Sequence, residues 1–443
     1  MPLSQYVRLL ILSFFCFFSI ELLAQDQQTT PVTTYYDSAR HFVKEKYFIL
    51  DEDSTRINGD YTKYHFDGSI AAKGIFEDGT RTGIFEEYYP DGSLQRTIPY
   101  EENLKNGEVK VYDQDGSVLQ TGYFKNDILE GELLLYYPDG KLKSKTTFAN
   151  GKPDGPISTY YPNGNPSEIL IYQNGQQHGK AERFYEDGTL KNVAHYKQGV
   201  MEGVVLTYHP NGQVADSTHF LNGQKQGNIK TYAASGQLMT EGYYEKGFRE
   251  GVFKAYHENG QIKHLHHYRE GKPVGENLTY YTDGAKQLSV TYSENGKTEE
   301  AFYPDGQVKS TRQYIDNKPA GTWKFYWENG QIQQEIPHEA SVMHGSQITY
   351  YSDGQVESQQ DYRKGRKTGT AFTYYPSGQT KTETEYYYGF QQGVYKEFYE
   401  NGKQKTVGEY SGGKKSGAWK YFDKEGNITD EKTYKEGIEA AKQ

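Results

Sequence analysis

Aromatic and aliphatic residues recur at fixed distances around a turn signal along most of this chain. In one typical segment, Tyr136 comes three residues before Asp139, Leu142 three residues after it, and Phe148 nine residues after it. The Asp139-Gly140 dipeptide is typical of a tight hairpin turn, because glycine adopts positive φ at no steric cost. The pattern predicts two short strands whose aromatic and aliphatic side chains face each other across the turn.

The turn glycine recurs every 24 residues, with one step of 22 residues between Gly284 and Gly306. The sixteen turn glycines are Gly68, Gly92, Gly116, Gly140, Gly164, Gly188, Gly212, Gly236, Gly260, Gly284, Gly306, Gly330, Gly354, Gly378, Gly402 and Gly426. The residue before the glycine is Asp or Asn in thirteen units, and the residue four before it is Tyr or Phe in all sixteen. A constant period with constant turn chemistry indicates a repeat protein in which these glycines are structural.

A second connection follows the second aromatic residue of each unit. From Tyr196 to Gly203 it reads aromatic-x-x-Gly-x-x-x-Gly, and an apolar residue such as Phe85 or Trp419 often follows two residues after the last glycine. The same spelling recurs at Phe76–Gly83, Phe148–Gly155, Phe220–Gly227, Tyr244–Gly251, Tyr268–Gly275, Tyr362–Gly369 and Tyr410–Gly417. Each unit is therefore expected to be strand, tight turn, strand and glycine loop.

These units predict an all-β fold: an elongated, single-layer antiparallel β-hairpin repeat ribbon, or solenoid, coiled by the twist of its strands. Two strands per unit advance a sheet by about 10 Å, so sixteen units would extend roughly 150 Å. The composition agrees, because 35% hydrophobic residues with 43 Tyr and 48 Gly do not provide a deep aliphatic core. Aromatic residues at 15% also argue against disorder.

Two places depart from the repeat. At the 22-residue step, the segment around Asn295-Gly296 predicts a two-residue Asn-Gly turn in place of the longer loop, with a local kink. Near the N-terminus, residues 25–45 lack the repeat, and we expect a tether, then a short helix around 37–44. Residues 47–50 are expected to form a capping strand that hides an open sheet edge.

The first residues have the pattern of an export signal. Arg8 precedes an apolar run from Leu9 to Ile20, and Ala24 provides a small residue for cleavage. We therefore divide the chain into a signal peptide (1–24), an N-terminal tether and capping segment (25–58) and sixteen hairpin repeats (59–443). The single cysteine, Cys16, lies in the apolar run, so the mature chain would have no disulfide. The protein is expected to be periplasmic, associated with the outer envelope, or secreted.

The glycine loops and turns resemble the MORN repeat, and more closely its bacterial variant. The segments Tyr374–Gly378 and Tyr410–Gly417 carry this resemblance, which extends from residue 59 to about 437. The resemblance implies hairpin ribbons used as scaffolds, dimerisation surfaces or membrane-proximal spacers. Some bacterial variants are labelled as antitoxin components, and this implies an inhibitor or immunity-type partner of a toxin as one alternative.

Histidines are the candidates for a metal site. His264 and His266 alternate on one predicted strand, so they would share a face, and such a pair could bind Zn²⁺ or Cu²⁺. His257 and His267 instead occupy repeat positions that are also histidine in an earlier unit, which favours a structural role. We therefore predict no metal, no cofactor and no catalytic residues, since no nucleophile, phosphate loop or carboxylate pair stands out.

Aromatic side chains are the best candidates for partner contact. Trp323, Tyr326 and Trp327 form the densest cluster in the chain and define our predicted contact surface. Their rings would either stack against each other as the core of a single-layer sheet or present flat faces to sugar rings.

The charge distribution narrows the partner classes. The net charge is −10 and both signs are spread evenly, so nucleic acid is not an expected partner. The leading hypothesis is a non-catalytic scaffold of the bacterial cell envelope that binds a protein through its aromatic-rich β surface. Recognition of a glycan such as peptidoglycan is the alternative, together with the antitoxin-type role. Any membrane contact is expected to be peripheral.

Overall fold

A computed structural model describes residues 28–440, and the predicted signal peptide lies outside these residues. Every regular element in this range is a β-strand, which confirms the all-β prediction. None of the described residues forms a helix of the length and apolarity that crossing a bilayer requires. The chain divides after residue 164 into two compact units.

In the described part of the first unit, the strands are β1 (Thr29–Tyr35), β2 (Val43–Leu50), β3 (Asp53–Ile57), β4 (Gly59–Tyr64), β5 (Ile70–Glu77), β6 (Thr80–Tyr88), β7 (Leu94–Glu101), β8 (Leu104–Lys105), β9 (Gly107–Tyr112), β10 (Val118–Lys125), β11 (Ile128–Tyr136), β12 (Leu142–Ala149) and β13 (Lys152–Tyr160). They follow one another as antiparallel hairpins, so strands adjacent in sequence are adjacent in the sheet.

The second unit has the same antiparallel order. Its described strands are β14 (Pro166–Gln173), β15 (Gln176–Phe184), β16 (Leu190–Lys197), β17 (Val200–Met201), β18 (Gly203–Tyr208), β19 (Val214–Leu221), β20 (Gln224–Tyr232), β21 (Leu238–Glu245), β22 (Phe248–Tyr256), β23 (Ile262–Arg269), β24 (Lys272–Pro273), β25 (Gly275–Tyr280), β26 (Lys286–Ser293), β27 (Gly296–Phe302), β28 (Val308–Ile315), β29 (Lys318–Tyr326), β30 (Ile332–Glu339), β31 (Val342–Met343), β32 (Gly345–Tyr350), β33 (Val356–Arg363), β34 (Arg366–Tyr374), β35 (Thr380–Tyr387), β36 (Phe390–Phe398), β37 (Gln404–Ser411), β38 (Lys414–Phe422), β39 (Ile428–Lys435) and β40 (Ile438–Glu439).

The first turn of each unit has the predicted chemistry. Gly140 has a φ of 79°, its N–H donates to the carbonyl of Tyr137 at 2.9 Å, and the N–H of Tyr137 donates to Lys141 at 2.8 Å. This is a type I turn followed by a left-handed glycine. Tyr136 pairs directly with Leu142 across the turn, as predicted. All sixteen turn glycines have positive φ.

The second connection is tighter than the predicted glycine loop. Lys197 pairs with Val200, so only Gln198 and Gly199 lie in the turn, and their φ values of 52° and 80° are those of a type I′ turn. The second glycine, Gly203, lies beyond this turn at a bulge with a φ of 79°. Here the pairing register shifts by two residues, which the spacing of the glycines alone did not reveal.

The 22-residue step has a simple structural cause. Ser293 pairs with Gly296, so the turn residues are Glu294 and Asn295, and the prediction of an Asn-Gly turn was wrong by one position. The pairing of β26 with β27 has no register shift, and β27 has seven residues where β22 has nine. The two absent residues therefore correspond to the two-residue bulge.

The N-terminal segment forms strands rather than a tether and a helix. The prediction of a helix at 37–44 was wrong, because β1 and β2 pair as a hairpin and this segment is their connection. The carboxylate of Asp37 accepts the N–H groups of His41 and Phe42, which closes the loop. Phe42 also stacks on Phe66, with ring centroids 4.4 Å apart. The predicted strand at 47–50 is present and longer, as β2, but it does not cap the sheet, because β1 pairs along its outer side.

One face of the sheet in each unit, here named the ring face, is defined by the residue two positions after the second glycine. In the first unit Phe85 is 7% exposed and packs edge-on against Phe76 and Tyr100, at 5.5 and 5.2 Å. In the second unit Trp419 is 1% exposed. Each of these rings covers a glycine on the neighbouring strand, Gly74 and Gly408 respectively, where a Cβ would overlap the ring.

The opposite face, here named the charged face, carries aromatic residues together with cross-strand ion pairs. In the second unit the pairs are Lys254–Glu241 (3.3 Å), Lys324–Glu335 (3.0 Å), Lys396–Glu383 (2.9 Å) and Lys420–Glu431 (3.9 Å). Tyr256 donates its hydroxyl to Glu241 at 2.8 Å. Aromatic side chains therefore cover both faces, as the sequence predicts, although exposed ion pairs of this kind each contribute only about 0–1 kcal/mol.

A carbonyl tether joins successive repeats on the first-turn side. Where the residue that opens a first turn is aromatic, its side chain can donate to a carbonyl of the next repeat, as Tyr137 does to the carbonyl of Tyr160 at 2.7 Å in the first unit. Asp113, Ala233 and Asp423 occupy this position in three other repeats. In the second unit the donor is Tyr, His or Trp, as in Tyr375 to Phe398 at 2.8 Å. This side of the sheet is therefore fixed by internal bonds.

Candidate interaction surface

The structure places the three predicted contact residues at different positions. Arg312 lies over the rings of both Trp323 and Phe325, at 5.6 and 5.2 Å, so these two residues share the ring face. Tyr326 follows Phe325 and points to the charged face, because side chains alternate along a strand. Trp327 is a carbonyl tether, donating its indole N–H to Tyr350 at 3.2 Å. The three side chains do not form one surface.

Trp323 itself is held by a small cluster on the ring face. Its indole N–H donates to the carbonyl of Gln313 at 3.0 Å, and its ring centroid is 5.2 Å from Tyr314 and 4.7 Å from His338. Arg312 Nε and His338 Nδ1 are buried without a hydrogen-bond partner among the described residues. The polar part of Trp323 is thus occupied internally, and only part of its ring remains for contact.

The histidines have structural partners. His257 contacts the carbonyl of Tyr280 at 3.0 Å through Nε2, which is the carbonyl-tether position. His267 contacts the carbonyl of Glu276 at 2.8 Å through Nδ1. His264 and His266 lie 5.2 Å apart between centroids, and burial lowers the pKa of both. Within residues 28–440, no group of three or more His, Cys, Asp or Glu residues is arranged to hold a metal ion.

A different set of residues forms a contiguous exposed surface on the charged face of the second unit. Three directly opposed pairs in successive hairpins, β18–β19, β20–β21 and β22–β23, define what we name the apolar strip. The pairs are Val204 with His219, Asn228 with Tyr243, and Val252 with His267. Val204, Tyr243 and Val252 are 44%, 39% and 41% exposed. Six strands at about 4.8 Å spacing give the strip a length of roughly 24 Å.

A charged border runs along the apolar strip. Lys230, Glu241 and Lys254 line the same shallow depression as Tyr243 and Val252. The hydrogen bond from Tyr256, followed by the hydrogen bond and the charge of Lys254, lowers the pKa of Glu241. Burial and the hydrogen bond to Glu241 raise the pKa of Tyr256 to about 12. Both groups therefore keep fixed charge states near neutral pH. An apolar centre with a charged border is the usual composition of a protein–protein interface.

Comparison with known families agrees with this architecture. The family model described as "MORN repeat variant" matches twelve segments, which together make up more than half of the chain. The matched segments are 81–102, 105–126, 129–150, 153–174, 177–198, 201–222, 249–270, 297–316, 320–340, 343–364, 367–386 and 391–411. The chain belongs to the MORN repeat variant family.

Similarity to solved structures is remote. The chain is 12% identical to a chain of the Photorhabdus luminescens Tc holotoxin pore, covering 92% of this chain and 25% of that one, with a TM-score of 0.14. It is 11% identical to a chain of the TcdB2-TccC3-Cdc42 complex, covering 89% and 27%, with a TM-score of 0.13. The MORN repeat variant chain thus spans about a quarter of the length of these chains. No curated protein sequence matches it significantly.

The sequence contains one signal that points to the apolar strip. The position of Val204 and Val252 is Glu in three other repeats, at Glu108, Glu132 and Glu276, and it is apolar again at Ile84 and Val394. A comparison of the MORN repeat variant units with one another, position by position, would have separated these apolar replacements from the side chains that every unit needs for folding.

Proposed function

We propose that this protein is a non-catalytic scaffold of the bacterial cell envelope and that the apolar strip binds a protein partner. The observation that carries the proposal is the exposure of Val204, Tyr243 and Val252 on adjacent hairpins, at positions where some other repeats carry charge. A monomeric sheet gains no stability from these side chains in water, whereas a partner would remove their apolar area from solvent.

The composition of the strip favours a protein as the partner. Val204, Val252 and Tyr243 provide apolar area for the centre of an interface, and their cross-strand partners are the polar residues His219, Asn228 and His267. Lys230, Glu241 and Lys254 provide charges of both signs at its border. A polyanionic partner would be repelled by the carboxylate of Glu241 at this border. The envelope location rests on the expected export signal.

Two substitutions test the strip without disturbing the fold. Val204→Glu and Val252→Glu introduce glutamate, which already stands at this repeat position in Glu108 and Glu132, so the sheet should be retained. Ile84→Glu is the matched control, because Ile84 occupies the same repeat position in the first unit and is 62% exposed.

The readout is site-specific crosslinking in envelope extracts, with a photoreactive residue placed at position 243 or, as control, at position 84. We expect one protein to crosslink from position 243, and the Val204→Glu/Val252→Glu double variant to reduce that product at least tenfold. Ile84→Glu should leave it unchanged. Equal crosslinking in the double variant and the parent protein would show that the strip does not bind this partner.

A further inference from the structure

Four cations and three exposed rings meet at two neighbouring second turns of the second unit, which we name the basic turn edge. One of these second turns joins β33 to β34 and carries Arg363, Lys364, Arg366 and Lys367. The next joins β35 to β36 and carries Tyr387, Tyr388 and Phe390.

The two turns are fixed relative to each other by the repeat. Arg363 pairs with Arg366 and Tyr387 with Phe390, so each turn has only two central residues. The N–H of Gly389 donates to the carbonyl of Lys367 at 2.9 Å, and this bond joins the β35–β36 turn to strand β34. The turn centres are two strand spacings, or about 10 Å, apart. The side chains therefore project from a rigid base.

The cations of the basic turn edge are not neutralised by the protein. No carboxylate among residues 28–440 forms an ion pair with Arg363, Lys364, Arg366 or Lys367. The acidic side chains on the same strands are directed elsewhere: Asp361 accepts from Ser346, and Glu385 accepts the N–H of Val394 at 3.0 Å. Lys367 lies over the ring of Tyr386, with its Nζ 5.0 Å from the centroid. Four cations without a carboxylate partner on one edge of a chain with a net charge of −10 favour an anionic partner.

The basic turn edge also has three exposed aromatic rings beside its cations. Tyr387, Tyr388 and Phe390 are 61%, 62% and 63% exposed, which places them among the most exposed large side chains of the described residues. The rings of Tyr387 and Tyr388 are perpendicular, with centroids 4.5 Å apart. Arg363, Arg366 and Lys367 line one shallow depression together with both tyrosines.

We propose that the basic turn edge binds an acidic polysaccharide. The ring faces would stack on sugar rings, the tyrosine hydroxyls would bond to sugar hydroxyls, and the arginine guanidinium groups would pair with carboxylates in bidentate geometry. The perpendicular arrangement of Tyr387 and Tyr388 does not offer parallel faces to successive stacked bases, which disfavours single-stranded nucleic acid. The site is separate from the apolar strip and does not depend on it.

The test uses the full mature chain and polygalacturonate as the probe, with dextran as the uncharged counterpart. Arg363→Gln/Arg366→Gln removes two guanidinium groups and introduces the Gln found at Gln173 and Gln176 in an equivalent turn. Tyr387→Gln/Tyr388→Asn removes two rings and introduces the residues of Gln173 and Asn174. Asn174 has a φ of 51°, so Asn suits the turn position.

The matched control is Arg269→Gln/Lys272→Gln, which removes two cations from an equivalent turn whose centre is Glu270-Gly271. Calorimetric titration should show saturable binding of polygalacturonate and none of dextran. The arginine variant should weaken binding at least about tenfold, since charge-assisted bonds are lost. The tyrosine variant should weaken it by a similar factor without changing its salt dependence, and the control by less than about twofold.

Three results would overturn the proposal. The first is absence of polygalacturonate binding by the parent protein. The second is an equal loss in the control variant, which would mean general charge attraction. The third is stronger binding of a single-stranded oligonucleotide or of anionic phospholipid vesicles through the same residues, which would assign the edge to another ligand class.

Discussion

Replacing Gly74 by alanine should destabilise the first unit, because the ring of Phe85 occupies the space that a Cβ would need. Gly74 does not have a positive φ, so sterics alone oppose a side chain there. The Phe85 ring is 7% exposed and confined by Phe76 and Tyr100. Overpacking of this kind costs about 1–3 kcal/mol, and the gain from restricting the unfolded chain offsets about 0.4–1 kcal/mol. We expect a net loss of about 1–2 kcal/mol.

Gly122→Ala is the matched control in the same unit. Gly122 occupies the same repeat position, but the nearest atom to its Cβ would be the terminal methyl Cδ1 of Leu133 at 3.0 Å. A flexible methyl group can move by a few tenths of an ångström, so the expected change is within about 0.5 kcal/mol of zero. The two glycines thus differ in the rigidity of the side chain that covers them.

Amide hydrogen exchange measures these local changes, because a repeat array need not unfold in one step. The loss of stability in the Gly74→Ala variant should accelerate amide exchange in β5 to β7 by about fivefold to thirtyfold. Gly122→Ala should leave amide exchange in β10 and β11 nearly unchanged. A double-mutant cycle with Phe85→Leu should give a coupling of at least about 1 kcal/mol. Equal effects of the two alanine variants, or no coupling, would refute the steric explanation.

Three further perturbations follow from other contacts. Tyr375→Phe removes a carbonyl tether and should lower the local free energy of unfolding by about 0.5–1.5 kcal/mol, as measured by hydrogen exchange. Tyr374→Phe should change this free energy little. Gly296→Ala should destabilise β27 and β28 by more than 1 kcal/mol on the same measure, because a Cβ would meet the backbone carbonyl of Tyr314. Hydrogen bonds from Ser93 lower the pKa of Asp91, so its stabilisation is present at neutral pH and is lost as pH falls below about 4. Asp91→Asn should reduce the dependence of the melting temperature on acid.

The first-turn chemistry was predictable because it depends on local conformation. An Asp-Gly dipeptide between two alternating segments admits few backbone geometries, and the structure has the expected one at Asp139-Gly140. The direct pairing of Tyr136 with Leu142 follows from the length of that turn. The family resemblance likewise rests on these local spacings, and the family match agrees with it.

The second connection and the N-terminal loop were not predictable from spacing. The Gln198-Gly199 turn leaves Gly203 in a bulge, and a glycine pair four residues apart fits a loop or a turn with a bulge equally well. The segment after Asp37 has a helix-start residue, but pairing of β1 with β2 and the contact of Phe42 with Phe66 determine its conformation. Tertiary contacts override local propensity at both places.

The predicted contact surface also depends on tertiary contacts that the sequence pattern does not show. Trp323 and Trp327 attract attention in the sequence because tryptophan is rare in this chain, yet the structure uses both indole N–H groups internally. Their exposed faces therefore have less freedom to serve a partner than their residue type suggests. The strip at Val204, Tyr243 and Val252 consists of common residues, and only their register on adjacent strands brings them together.

The two turn types differ in how far their side chains take part in folding. All first turns contain the glycine, and most also contain the Asx residue and the carbonyl tether, so many of their side chains are engaged in folding. In the second turns other than Glu294-Asn295, the two central residues adopt positive φ, and their first residues include Gln198, Lys364 and Tyr388. Substitution is therefore least costly at the second turns and the adjacent bulges. The apolar strip contacts these bulges and the basic turn edge consists of such turns, so both proposed surfaces lie where the repeat leaves side chains free to vary.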